Sequence, residues 1–312
     1  MNSPRDGRVP GFTAATYVGV GKSRRLRRLF SPIDGRTLIV PVDDSLIFGP
    51  AAGLEQAASK IRSILTEAPD AILAFPGVFR SIPEILSTIP GIVNLTASTI
   101  RSQHTRKVQV GTVHQAVQLG LDAVAVHVNI SSAYEFEMLK TLGSVSEDCE
   151  MNGMPLVAIM YPRSEINGAD ENYDELKKTD RNSYAQLVAH AARVGVDLGA
   201  DLIKTKYSGD PDSFRLVVEA CEPIPVIIAG GPMLPAERMF QVAHDVILAG
   251  GAGVSFGRNV FSRPNPGPFI AGLKAIIHEG VTVPEVTQRY ERKLSSNSES
   301  RVKSGEDIPK QS

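Results

Sequence analysis

Cysteine is scarce in this chain. Only Cys149 and Cys221 occur among 312 residues, and neither stands in a CxxC pair or beside a histidine. That argues against a disulfide framework and a cysteine-built zinc site, and fits a protein of the reducing cytoplasm. An excess of charge is missing too: 33 Lys and Arg stand against 34 Asp and Glu, for a formal net charge of −1. Such a balance does not point to nucleic acid. The one dense basic stretch, KSRRLRR (22–28), reads as an exposed turn of helix. No apolar run approaches the ~20 residues that span a bilayer, and the N-terminus lacks an apolar core of the signal-peptide kind, so neither a membrane span nor secretion is expected. No G-x-G-x-x-G follows the first apolar run, which weighs against an open dinucleotide-binding sheet.

What is present is alternation. Short runs rich in Val, Ile and Ala recur at 37–44, 71–77, 91–97, 123–129, 155–162, 201–207, 225–231 and 253–259. They are near-continuously apolar and bounded by Gly, Pro or polar residues, as strands buried on both faces should be. Helical periodicity fills the gaps, at 54–67, 113–120, 133–151, 183–199, 212–221, 237–250 and 268–280. Repeated strand–helix alternation predicts a parallel sheet, and eight strands predict a closed TIM (β/α)8 barrel as a single domain. The barrel is expected over 22–294, after a loosely ordered segment 1–21 and before a disordered polar tail 295–312.

In such a barrel, function sits at the C-terminal ends of the strands. Polar residues collect there. The first run ends in Asp43 and Asp44, and strand alternation predicts that only one of them points inward. The fourth carries His127, the fifth Tyr161 followed by Arg163, and the sixth Lys204 and Lys206. A mid-strand lysine is rarely tolerated unless it is paired or functional. Burial favours the neutral amine, which can attack a carbonyl and form a Schiff base. Tyr161 and a carboxylate of the first strand are suitable proton carriers around it. The alternative for Lys204 is a structural ion pair with Asp43 or Asp44. Lys206, on the same face by alternation, would depress the pKa of Lys204, meet a substrate phosphate, or simply reach solvent. Glycines after the seventh and eighth strands, Gly230, Gly231 and Gly257, together with Arg258, form a phosphate-binding pattern.

These residues resemble the archaeal-type class I fructose-bisphosphate aldolases, a group that includes the hept-6-ulosonate synthases and the LsrF-type thiolases. The carriers are VPVDDSLIFGP (40–50), NLTAST (94–99), DAVAVHVNI (122–130), PLVAIMYPR (155–163), LGADLIKTKYSGDPDSF (198–214), PVIIAGGP (225–232) and GVSFGRNVF (253–261). The resemblance implies a TIM barrel, no metal or cofactor, and a homo-oligomer, often a decamer. It implies Lys204 as the Schiff-base lysine, Tyr161 as acid/base and Asp43 as its helper. Gly230, Gly231, Gly257 and Arg258 would hold phosphate, and Lys206, Asp44 and His127 are placed among the substrate contacts.

Two departures stand out: Asp43-Asp44-Ser45 replaces an expected Asp-His-Gly, and Lys206 stands where Pro or Tyr is usual. Tyr161 argues against the thiolase branch. The expected activity is therefore a lyase that makes or cleaves a C–C bond of a phosphorylated ketose. The donor would be of the dihydroxyacetone phosphate type, and the altered first-strand motif favours a biosynthetic acceptor such as aspartate semialdehyde. Sugar-catabolic aldolase and transaldolase-type activities are the nearest alternatives. A non-catalytic phosphosugar-binding barrel is the alternative from another class. Acceptor choice is assigned to loops 45–50, 77–83, 98–108 and 163–180.

Overall fold

The computed structural model describes residues 19–303, so most of the expected loose N-terminal segment and the last part of the tail lie outside the described residues. Eight barrel strands are formed: β1 (Thr37–Pro41), β2 (Ala71–Ala74), β3 (Gly91–Asn94), β4 (Ala123–Ile130), β5 (Leu156–Pro162), β6 (Leu202–Thr205), β7 (Val226–Ala229) and β8 (Gly253–Ser255). They close in the order β1-β8-β7-β6-β5-β4-β3-β2, each parallel to its neighbours. The expected TIM barrel is therefore the fold, and the open sheet is excluded by the β1–β8 pairing. That seam needs a glycine: Gly253 has φ +139, and a Cβ there would meet the Thr37 carbonyl oxygen at 1.9 Å.

Side chains segregate by strand parity. Leu38, Val40, Ile72, Val93, Val124, Val126, Ala158, Ile203 and Ile228 belong to the outer core under the helices. Ile39, Leu73, Ile92, Ala125, Val157, Ile159, Leu202 and Ile227 fill the barrel itself. The filling is apolar at the N-terminal end and gives way to Asn94, His127, Tyr161 and Lys204 toward the C-terminal end.

The floor of the barrel corrects one expectation. KSRRLRR lies in a helix, Val20–Leu29, whose Leu26 and Leu29, with Phe30, plug the barrel and pack with Ile39, Val157 and Leu202. Lys22 is buried rather than exposed, paired with Glu150 and with Asp201 at 3.1 Å. Burial opposes its charge, but these two carboxylates outweigh the desolvation and raise its pKa. The C-terminal helix spans Val283–Lys303.

A second floor contact joins the last barrel helix, Gly267–Glu279, to the strand entrances. His278 bonds Asp34 through Nδ1 at 2.9 Å and Asp70 through Nε2 at 3.0 Å, and Asp70 also accepts from the Leu38 amide at 2.6 Å. Desolvation disfavours the imidazolium, but the two carboxylates overcome it and raise the His278 pKa. A raised folded-state pKa gives stability that is fully present below the unfolded value of about 6.5 and is lost as pH rises through the folded value. His278→Gln should destabilise the barrel by roughly 2 kcal/mol at pH 6, the scale of lost charge-assisted hydrogen bonds. The deficit should shrink at pH 9, as read by urea denaturation at both pH values.

Candidate active site

The C-terminal mouth gathers the residues singled out in the sequence. Lys204 stands on β6 with Ile159 of β5 and Ile227 of β7 as register partners, and two residues above the barrel-filling Leu202. It is 6% exposed. Among the described residues no hydrogen bond or ion pair engages its Nζ, so the structural ion pair with Asp43 or Asp44 is not formed. Burial pushes its pKa below the ordinary lysine value; Asp43 and Asp44 oppose the shift without cancelling it. The amine is thus biased toward its neutral, nucleophilic form.

The carboxylates are engaged elsewhere. Asp43, buried, accepts from Asn94 Nδ2 at 3.0 Å. Asp44 faces Arg258, Nε to Oδ2 at 3.1 Å, and the guanidinium also lies over the Phe48 ring at 5.4 Å. Burial, then the neighbouring Asp43, pushes the Asp44 pKa up to about 6. Strand alternation does not set the two aspartates, for a local reason. β1 ends at Pro41, and a short helix, Asp44–Phe48, begins directly after Asp43. Strand alternation no longer applies there, and both charges act on Lys204.

Tyr161 follows Ile159 by one inward step on β5, across from Asn129 of β4. Its crowded surroundings raise the phenol pKa well above the usual value, so it is a neutral hydroxyl. His127 packs edge-on against its ring with centroids 4.7 Å apart. The His127 Nε2 meets Asn129 Oδ1 at 3.1 Å, and Asn129 Nδ2 donates to the Thr105 carbonyl at 2.7 Å. Asn129 thus presents an acceptor, and the hydrogen-bond network assigns the imidazole proton to Nε2. Burial keeps His127 neutral, its pKa well below 6.5. His127 braces Tyr161.

Lys206 lies toward Tyr161, its Nζ 5.8 Å from that ring's centroid. It lies just past the end of β6, and its Nζ donates to Asn172 Oδ1 at 2.8 Å and to the Pro162 carbonyl at 3.3 Å. Asn172 Oδ1 also accepts from Arg163 Nε at 2.9 Å. Burial, with Arg163 beside it, lowers the Lys206 pKa to about 7. Arg258, not Lys206, is the cation that depresses Lys204. Lys206 instead ties down the loop after β5, which holds the small hairpin Ser164–Ile166 and Ala169–Glu171. Glu165 of that hairpin accepts from Thr105, from Ser132 Oγ at 2.9 Å and from the Ala133 amide at 3.2 Å.

The glycine loops flank Arg258. A Cβ on Gly230 would meet Phe256 at 2.9 Å, and Gly231 has φ +65. Asn259, fully buried, joins the two loops: its Nδ2 donates to the carbonyls of Gly230 (3.1 Å) and Pro232 (2.9 Å), and its Oδ1 accepts from the Leu234 amide (2.9 Å). Sequence reasoning quoted Asn94 and Asn259 inside motifs without giving them roles, and missed Lys107 altogether. Lys107 is buried, and its Nζ donates to Ser98 Oγ at 2.6 Å; burial, then Arg163, lowers its pKa to about 7. Its only sequence signal was a lysine inside a loop already assigned to acceptor choice. No group of His, Cys, Asp and Glu suited to a metal occurs among the described residues.

Lys204, Tyr161, the glycine loops and Arg258 thus stand at the C-terminal mouth of a TIM barrel, the end where enzymes of this fold carry their sites. The chain belongs to the DeoC/LacD aldolase family, whose model matches residues 32–263. It is 36% identical over 260 residues to the 2-amino-3,7-dideoxy-D-threo-hept-6-ulosonate synthase of Halobacterium salinarum, covering 83% of this chain and 92% of that one. It is 35% identical over 264 residues to the 2-amino-4,5-dihydroxy-6-oxo-7-(phosphonooxy)heptanoate synthase of Streptomyces griseus, covering 84% and 92%. An archaeal fructose 1,6-bisphosphate aldolase superposes with TM-score 0.72 at 26% identity, over 83% of this chain and 99% of that one. A structure at the same TM-score and identity is described as a Schiff-base-forming aldolase, over 82% of this chain and 100% of that one.

Lys206→Met keeps the aliphatic stem and removes the ammonium. Amides of 162–173 should then exchange with solvent roughly tenfold faster, matching the loss of a charge-assisted contact of about 1.5 kcal/mol. The Lys204 pKa should move far less than in Asp43→Asn. Hydrogen exchange and the pH dependence of lysine modification read the two effects separately.

Proposed function

We propose that this protein is a class I aldolase that joins a phosphorylated ketone donor to an aldehyde through a Schiff base on Lys204. The observation that carries the reading is Lys204, buried on β6, with no ion pair to its Nζ among the described residues and two carboxylates acting on it. The neutral amine adds to the donor carbonyl, giving a carbinolamine. Protonation of its hydroxyl and loss of water leave an iminium, and removal of a proton from the neighbouring carbon gives the enamine that attacks the aldehyde. The new iminium is hydrolysed to release product and regenerate the lysine. Cleavage runs the same steps in reverse.

Tyr161 suits the proton transfers at the hydroxyl of the forming or breaking bond, because its phenol enters the cycle protonated. Asp43, steadied by Asn94, suits proton transfer during imine formation and hydrolysis. Gly230, Gly231 and Gly257 offer backbone to the donor phosphate, with Arg258 as the charge partner. Asp44 is the counter-ion that holds Arg258 in place rather than a reacting group. The names of the Halobacterium and Streptomyces relatives favour a biosynthetic condensation with an amino-bearing aldehyde of the aspartate semialdehyde kind. Lys107, Arg163 and Lys206 offer cationic recognition for its carboxylate. The two buried thiols, both with pKa pushed up to about 12, suit a cytoplasmic enzyme, and a homo-oligomer is the assembly we expect.

Borohydride reduction in the presence of dihydroxyacetone phosphate should fix the donor to Lys204, seen as one mass increment on the peptide containing that residue. Lys204→Ala should give none. Tyr161→Phe should still trap the donor while turnover falls by about 10²- to 10⁴-fold, the range of a lost general acid–base. An unmodified Lys204 in the wild-type protein would overturn the mechanism.

A further inference from the structure

The arginines of the floor helix take no part in the chemistry at the mouth. They line a cleft of ≈ 450 Å³ on the opposite, N-terminal face of the barrel, formed by Arg24, Arg25, Arg27 and Arg28 against the Gly120–Asp122 turn that leads into β4. We propose that this cleft is a second anion site, built for a small phosphate ester or diphosphate and separate from the substrate phosphate loops.

Charge bookkeeping carries the proposal. The four arginines occupy positions i, i+1, i+3 and i+4 of one helix, so their guanidinium groups project from a single side. Arg28 is matched by the buried Asp122 at 2.7 Å, and Arg25 donates from Nη1 to the Gly153 carbonyl at 2.9 Å. Arg24 and Arg27 meet no carboxylate among the described residues. Lys22 brings no free charge because Glu150 and Asp201 match it. One carboxylate therefore faces four guanidinium groups, and two of those are pre-positioned by their own contacts.

Concavity separates this from a solvated basic face. A cationic cleft focuses its field on whatever enters, and guanidinium forks meet phosphate oxygens in bidentate pairs. The opposing wall contributes Gly120, which has φ +71 and no neighbour within 4 Å of a built Cβ, so that side leaves room for a ligand. The cleft is a pocket within one helix turn, not an extended stripe. That shape favours a compact anion over a nucleic acid or a membrane. The buried face of the same helix forms the barrel floor and touches Leu202, two residues before Lys204, so a ligand held by the arginines rests on the element beneath the reactive lysine.

The test is calorimetric titration of the full-length chain with inorganic pyrophosphate, comparing wild type with Arg24→Gln/Arg27→Gln and with Arg258→Ala. Two classes of site are expected in the wild type. The double variant should weaken one class at least tenfold while borohydride trapping at Lys204 is unchanged; Arg258→Ala should weaken the other. Far-UV circular dichroism and melting temperature check that the double variant is folded, and Arg27→Glu should show a larger loss by charge reversal. Identical isotherms for wild type and the double variant would overturn the proposal. So would tight binding of an RNA oligonucleotide or of anionic vesicles, lost in the double variant, with no pyrophosphate site to match. Because trapping at Lys204 is read separately, failure of the cleft leaves the aldolase reading standing, and the reverse also holds.

Discussion

A lysine inside a closed barrel is the constraint on which the site depends. An unpaired ammonium in such surroundings costs several kcal/mol, whereas a neutral amine costs far less. Burial therefore shifts Lys204 toward the amine, its pKa below the ordinary lysine value. A tight ion pair would remove the strain and the reactivity together. Asp43 and Asp44 stand close enough to influence Lys204, yet Asn94 claims the first and Arg258 the second. Those two contacts preserve the amine as surely as the apolar Ile159 and Ile227 that border it.

The same economy governs the rest of the mouth. Burial, and next the Arg163 guanidinium, lowers both Lys107 and Lys206 to about 7. His104 follows the same physics more strongly, pushed down to about 3 by burial and then by Lys107. The histidines yield their protons, and the residual positive charge rests on groups able to meet phosphate or carboxylate. An anionic substrate entering this mouth would restore charge to the two lysines, so binding and protonation are linked there.

The fold was legible in the sequence because it rests on strong local signals, and the lysine proposed as reactive stood out for the same reason. Eight apolar runs bounded by turn residues define strands, and a lysine in one of them is conspicuous by its cost. Alternation failed where one strand stopped sooner than its apolar run suggested. β1 ends at Pro41, so Asp44 follows helix geometry, whereas Lys206, just past β6, still lies toward Tyr161, its Nζ 5.8 Å from the ring centroid. KSRRLRR misled for a different reason. Its charge suggested an exposed turn, but Leu26, with Leu29 and Phe30 just beyond the stretch, packs into the barrel floor. Asn94, Asn172 and Asn259 were beyond reach, since each matters through a partner more than ten residues away. Lys107 is the limiting case: its ammonium rests on Ser98 in the same loop, and only burial beneath the mouth distinguishes it from a surface lysine.

The two departures from the family pattern have a common outcome. Asp44 pairs with Arg258, and Lys206 pairs with Asn172 and the end of β5. Both new charges are consumed by contacts within the protein, on opposite sides of the barrel mouth. Neither touches Lys204, so neither needs to alter the covalent chemistry. What they fix is the wall of the site: one sets where the phosphate-side arginine stands, and the other sets how closely the loop after Tyr161 folds over the entrance. Glu165 reinforces the second by joining that loop to Thr105 and Ser132. The hairpin, Asn172 and Lys206 fix one wall of the mouth, and Asp44 with Arg258 fixes the other.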